Sequence, residues 1–421
     1  MTNNNLLEYL EIDFNIVIRD PLWQDIKLSK AIHNIYMSQE FQKLSRIKQL
    51  GPTNLVYPGA MHTRLCHSLG VYHLARKIII SLLSKSTTFK LSKDGVDSFL
   101  AAALLHDIGH FPYTHSLKEL PLTDHEILAT QIIKGDNELN RVLIDENFNL
   151  NKICNILDFE SAPIDKEIKL YKSLLSGALD PDKLDYLNRD AFFSGVSYGI
   201  QDCSFIISHL TINNGVSTLK ESAKLSLEHL IFSKYQMYKT VYWHERTRCA
   251  TAMIKKTLLY NLDKQIIKGD QLYNLDDYSF NQLAEKHPTS FMNVLLVRDN
   301  KLLKTKYEKT FDCENEFDIY CADLNNRFKA ENNIFNTLVK KYPQLRADQL
   351  IVDIPEPISF EIDIPILFKD GSVKSFKETD DIFSESVVKG FEKSLRKTRV
   401  FTIDAIKEDD VCEAIKLCLK K

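Results

Sequence analysis

AAALLHDIGHFPYTH, residues 101–115, sets an adjacent His106-Asp107 pair in a run of small and apolar residues, with His110 and His115 close behind. Phe99, Ala102, Ala103, His106, Gly109 and His110 recur at helical spacing, so the segment reads as a buried helix that Pro112 brings to an end. Burying an unpaired aspartate is costly, so Asp107 needs a partner. A metal ion is a natural one. Imidazole and carboxylate donors suit Mn, Fe, Zn, Ni or Mg, not a thiolate-seeking metal. The preceding segment places His67, Gly70, Val71, Leu74 and Ile78 on one helical face, so His67 faces inward and can be a third ligand. Farther on, LDPDKLDYLNRD at 179–190 carries a helix start, with Asp180 as N-cap and Pro181 at the first position. Asp182 is the candidate second carboxylate. Its place in the first turn fits dipole complementation equally well.

Histidine is concentrated around this stretch. Seven of the 12 histidines fall between His62 and His125, where about two would be expected by chance. Charge is also uneven. The 421 residues carry a net charge of −3, which gives no global attraction to nucleic acid or to acidic membranes. Yet between Glu40 and Asp94 lie 53 residues with no acidic side chain, among them Lys43, Arg46, Lys48 and Arg64. Such a stretch suits a small anion, or is a solvated basic face. The eight cysteines are scattered singly, which argues against a disulfide framework or a zinc ribbon and for a reducing, cytoplasmic setting. No run of ~18 apolar residues exists to span a membrane, and MTNNNLLEYLEIDFN lacks a signal pattern.

The fold class expected is mainly α. Helical periodicity dominates residues 1–343, read as one large helical domain, and residues 344–421 read as a small α+β subdomain. Residues 229–259 read as one long helix. IVDIPEPISFEIDIPILF, 351–368, alternates apolar and polar residues around prolines and reads as strands, followed by a turn at KDGS, 369–372. EDDVCEAIKLCLKK at the end reads as a helix.

His67, His106-Asp107 and Asp182 match the H…HD…D signature of HD-domain metal-dependent phosphohydrolases. The chain further resembles the deoxynucleoside triphosphate triphosphohydrolases at DP (20–21), FQKLSRIKQLG (41–51), VYPGAMHTRLCHSLGVYHLA (56–75), HDIGHFPYTH (106–115), DHE (124–126), DPDKLDYLNRD (180–190) and YQMYKTVYWH (235–244). The resemblance runs from about residue 16 to 260 and weakly beyond. It implies a helical HD domain in which His67, His106, Asp107 and Asp182 hold one divalent metal ion. It places His110 and His125 in a catalytic cluster and His115 on the phosphates or the leaving oxygen. Arg64 and Lys183 would bind the triphosphate, and Gln49 and Asp190 the sugar 3′-hydroxyl. Leu50, Tyr186, Tyr238 and Tyr242 would surround sugar and base, Leu50 and Tyr242 leaving no room for a 2′-hydroxyl. The tyrosines fit amphipathic core packing as well.

Asp182, Tyr186 and Asp190 fall at i, i+4 and i+8, so one helix face can serve metal, sugar wall and 3′-hydroxyl. Two positions depart from the family pattern. Lys118 stands where a carboxylate usually orients the histidines, so Glu119 or Asp124 must take that role, or turnover is weakened. Met37 and Ser45 stand where regulated members read guanine, against a switch of that design. The activity implied is hydrolysis of a deoxynucleoside triphosphate to deoxynucleoside and tripolyphosphate, by a homo-oligomer such as a dimer or tetramer. Competing readings are an HD phosphohydrolase acting on a nucleoside monophosphate, a cyclic dinucleotide or single-stranded DNA ends, and a nucleotide-binding regulatory protein that turns over weakly.

Overall fold

Helices dominate, and three of them form the frame of the site: Arg64–Leu83, Lys93–Leu105 and Pro181–Ser194. The first packs against both of the others. Its sequence explains why: apolar and small residues surround it, and Val71, Leu74, Ala75 and Ile78 are fully buried. The computed structural model describes residues 2–85, 89–358, 360, 364–379, 382–383 and 385–419. Among these, no helix is long and apolar enough to cross a membrane.

Helix starts follow local chemistry. Ser92 caps Lys93–Leu105 by accepting from the Gly95 N–H at 2.9 Å. Asp180 caps Pro181–Ser194 by accepting from the Lys183 N–H at 2.6 Å, with Pro181 at the first position as its sequence predicts. Helix ends differ from expectation twice. The 93–105 helix stops at Leu105, well before Pro112. The chain turns through 106–109, with Ile108 N–H bonded to Leu105 and His110 N–H to Asp107, both at 3.0 Å. Gly109 permits the turn to pack tightly: a Cβ there would lie 2.0 Å from the His125 carbonyl. The next helix of the site, His125–Lys134, therefore begins directly against it.

The segment 229–259 is also not one helix. Lys224–Met237 passes into a π-helical turn, Tyr238–Tyr242, in which Trp243 N–H bonds to the Tyr238 carbonyl at 2.9 Å. His244 then breaks the run and caps Glu245–Asp263, its ring accepting from the Arg246 N–H. Periodicity cannot show this break, because both halves keep the same apolar rhythm.

Nine short strands are described: β1 (Ile16–Asp20), β2 (Gln24–Leu28), β3 (Leu210–Asn213), β4 (Val216–Lys220), β5 (Lys304–Thr310), β6 (Ile351–Asp353), β7 (Pro365–Leu367), β8 (Val373–Ser375) and β9 (Lys397–Thr402). β1 and β2 form an antiparallel hairpin. The order of the second sheet is β3-β4-β7-β8, and that of the third β5-β9-β6. Strands before and after residue 343 thus share sheets, β4 with β7 and β5 with β9. Within 351–368, β6 and β7 are strands, and residues 359 and 361–363 of that expected run lie outside the described residues. KDGS forms the β7–β8 turn, with Gly371 at φ +85°. The terminal helix spans Glu408–Cys418, and Lys420 and Lys421 lie outside the described residues.

Candidate active site

The frame opens one cavity of about 660 Å³. Its floor is where the predicted ligands meet. His67 Nε2 lies 3.0 Å from Asp182 Oδ1 and 3.2 Å from His106 Nε2, and His106 Nε2 lies 3.4 Å from Asp107 Oδ1. The longer edges, His67 to Asp107 and His106 to Asp182, are 4.0 and 3.9 Å. His67, His106 and Asp107 bring ligand atoms within 4.8 Å of one another, and Asp182 approaches His67 from the Pro181–Ser194 helix.

The tautomers agree with a metal there. His67 Nδ1 is 2.8 Å from Asp185 Oδ2, and His106 Nδ1 is 3.0 Å from the Ala103 carbonyl. Each Nδ1 therefore carries a proton, and each Nε2 would present a lone pair to a bound metal ion. Two imidazoles set among carboxylates favour a positive charge between them, supplied by a proton or by a metal ion. The carboxylates favour positive charge in the same place. Burial lowers the His67 pKa, but bonds to Asp182 and Asp185 outweigh it and raise it to about 10. A divalent ion with nitrogen and oxygen ligands meets that demand. Asp107 is buried, which raises its pKa, but His110, His106 and Arg64 hold it well below the carboxylate range.

Behind the floor is a group that the signature did not single out. Asp185 accepts from His67, from Arg189 Nε at 2.8 Å and from Trp23 Nε1 at 2.5 Å. Arg189, fully buried, also pairs with Asp20 at the end of β1 at 2.8 Å. The DP at 20–21 and the third Asp of LDPDKLDYLNRD are its visible signals; the Asp185–Arg189 pair is local, at i and i+4, but the links to Asp20, Trp23 and His67 are not.

Beside the floor lie the other histidines. His110 Nε2 is 3.1 Å from His115 Nε2, and the His110 and His125 rings are 4.2 Å apart. His110 is fully buried and does not line the cavity, whereas His115 and His125 do. Tyr113 turns the chain here in the left-handed region, φ +66°, and Thr114 bonds back to Phe111, which aims His115 at His110. Burial and Arg64 keep the His110 imidazole well below its usual pKa.

Glu119 requires a correction. It does not orient His110 or His125, because Arg327 holds it at 3.0 and 3.1 Å and Lys255 pairs with the same carboxylate. Two cations from distant helices take up both of its oxygens. Asp124 is near His125, 3.5 Å from Nδ1, while capping its helix through the Glu126 N–H at 2.8 Å. Lys118 lines the cavity.

Arg64 NH1 is 2.7 Å from Asp107 Oδ2, and its Nε is buried without a partner. Lys183 Nζ is 2.5 Å from Asp180 Oδ2 and borders the cavity. At the far end, Tyr242 donates to Asp190 Oδ2 at 2.7 Å, and its ring packs on Tyr238 and Tyr186 at 5.0 and 6.5 Å. Gln49 and Leu50 face this end, and Gln49 Oε1 is buried with no hydrogen-bond partner. Met37 and Ser45 are both exposed and lie outside the cavity.

Residues 64–188 match the HD domain, and residues 201–414 match the HD associated region. The chain is 38% identical to YwfO of Bacillus subtilis over 252 residues, 58% of this chain and 55% of that protein. It is 29% identical over 211 residues to the Danio rerio protein named deoxynucleoside triphosphate triphosphohydrolase SAMHD1, 43% of this chain and 34% of that one. The chain spans about half the length of the first of these relatives. A crystal structure of a phosphohydrolase from Bacteroides thetaiotaomicron shares the fold, with a TM-score of 0.72 at 24% identity over 92% of this chain and 99% of that one. Matched along both halves and folded on the same helical frame, this chain belongs to the HD-domain phosphohydrolase family.

Proposed function

We propose that this protein hydrolyses deoxynucleoside triphosphates to a deoxynucleoside and tripolyphosphate, with one divalent metal ion held by His67, His106, Asp107 and Asp182. One observation carries the reading: the converging ligands and the Gln49–Asp190–Tyr242 end open into the same cavity. A metal-dependent phosphoryl site and a small polar pocket walled by tyrosines suit a nucleoside joined to a phosphate chain. The name of the Danio rerio relative supports it.

When bound, the ion supplies Lewis-acid polarisation for attack at the α-phosphorus. The residues do the rest. Arg64 and Lys183 offer a guanidinium fork and a point charge to the phosphates. Burial lowers the His125 pKa, more than Asp107 and Asp124 raise it, so near pH 7 its ring is neutral and able to accept a proton. A polyanionic substrate raises it again and favours the protonated form that a leaving oxygen needs. The Asp190 carboxylate is an acceptor for the 3′-hydroxyl proton, and the Gln49 side-chain amide N–H a donor to its oxygen. Leu50 and the Tyr242 ring close the 2′ side. Exclusion by packing discriminates on the order of 10²-fold against ribonucleotides.

The purified protein is to be incubated with each nucleotide and Mn or Mg, and the phosphorus product identified by NMR. Tripolyphosphate is expected. Release of orthophosphate or pyrophosphate, or equal rates on dATP and ATP, overturns the reading. A second reading, a nucleotide-binding regulatory protein with weak turnover, is favoured by Lys118 at the cavity wall and by the engagement of Glu119 elsewhere. Tight dNTP binding without product identifies it.

A further inference from the structure

His62 belongs to none of the roles above, yet it touches both arms of the polar end of the cavity. It lies just ahead of the Arg64–Leu83 helix and is almost fully buried. Its Nε2 is 2.8 Å from Asp190 Oδ1. Its carbonyl accepts from the Gln49 N–H at 3.0 Å. Its ring stacks on Phe193, with centroids 4.7 Å apart and planes 23° from parallel. The contact with an acceptor-only carboxylate places the proton on Nε2. Nδ1 is buried with no hydrogen-bond partner, so the ring has a single polar anchor, and that anchor is Asp190.

The consequence is geometric. The Asp190 carboxylate receives His62 on one oxygen and the Tyr242 hydroxyl on the other at 2.7 Å. Two donors from separate elements fix the plane of the carboxylate. Each oxygen keeps a lone pair for one further donor. The main chain of Gln49 is pinned by the same residue. A free carboxylate at the end of a cavity would rotate; this one is held before a ligand arrives.

We propose that His62 is a positioning residue that orients Asp190, and through the main chain Gln49, to receive a sugar 3′-hydroxyl. The inference rests on the deoxynucleotide reading above. A site built around a substrate hydroxyl rejects an analogue lacking it far more strongly than packing rejects an added one, by up to about 10⁴-fold. The ratio of kcat/KM for a dNTP to that for its 2′,3′-dideoxy counterpart therefore reads out how well Asp190 is held.

The experiment measures that ratio in the full-length protein and in two variants, with metal content and thermal melting alongside. H62F keeps an aromatic ring on Phe193 but has no donor. H62Q keeps a donor near the position of Nε2. The ratio is expected to fall at least about tenfold in H62F and to be largely retained in H62Q, with metal stoichiometry unchanged in both. H62L, also without a donor, is read in the same way if H62F does not fold. If the donor-free variants lose activity on both substrates equally and keep the ratio, His62 only packs and the inference fails. If the wild-type protein itself does not distinguish the two substrates, the sugar reading fails first, and the inference with it.

Discussion

Gly70→Ala tests the support behind the metal ligands. Gly70 lies inside the Arg64–Leu83 helix, where alanine normally stabilises by ~1 kcal/mol. Here the added Cβ would fall 1.8 Å from Asp185 Oδ1 and 2.6 Å from Arg189 NH2. Neither can yield easily. Asp185 and Arg189 are both fully buried, and Asp185 is held by Arg189, Trp23 and His67 at once. The carboxylate must move off at least one of these partners, and a hydrogen bond to a charged group is worth about 1.5–3 kcal/mol. The net expectation is a loss of roughly 1–2 kcal/mol in the metal-free protein, opposite in sign to the propensity effect. Freeing His67 Nδ1 also loosens the ligand, and loss of such a support costs about 10–100-fold in metal affinity, or ~1.4–2.7 kcal/mol. Urea unfolding in chelator gives the first number and calorimetric titration with Mn the second. A variant as stable as wild type, with unchanged metal affinity, would refute the view that Asp185 is fixed and needed.

Asp107→Ala should abolish stoichiometric metal by elemental analysis. It also strands the nearly buried Arg64 guanidinium, so stability should fall by about 3–5 kcal/mol; retained metal would sink the ligand assignment. Glu119→Gln should cost stability at neutral pH and leave turnover unchanged. Burial raises the Glu119 pKa, but Lys255 and Arg327 outweigh it and depress it. Its contribution is therefore present above the unfolded value of about 4.3 and lost as pH falls through the lower folded value. The gap between wild type and variant should close in acid; a constant gap, or a large loss of turnover, contradicts the pairing. Burial does most to lower the His115 and His125 pKa and Lys118 adds to it, so Lys118→Asp replaces a lowering charge by one that raises it. The acid limb of the pH–rate profile should move to higher pH, with turnover up about tenfold, or ~1.4 kcal/mol of barrier. An unmoved profile would mean that residue 118 does not act on the histidines.

Where chemistry is local, the sequence alone is informative. Apolar spacing marks the buried helices, Asp180-Pro181 marks where one begins, and KDGS marks a hairpin turn, because capping and turn geometry depend on a few adjacent residues. An adjacent His106-Asp107 pair in an apolar run points to a metal, and it is the resemblance to the HD signature that implies His67 and Asp182 as its companions. Tertiary structure decides the rest. Glu119 and Asp124 are both acids near the histidines in sequence, and nothing local says that Arg327, 208 residues away, takes the first. The break at Trp243–His244 is invisible because helical rhythm persists on both sides of it. Asp185 meets His67, and His62 meets Asp190, only when distant parts of the chain pack together. Buried polar groups must find hydrogen bonds wherever packing leaves a donor or acceptor, and that choice is made in three dimensions.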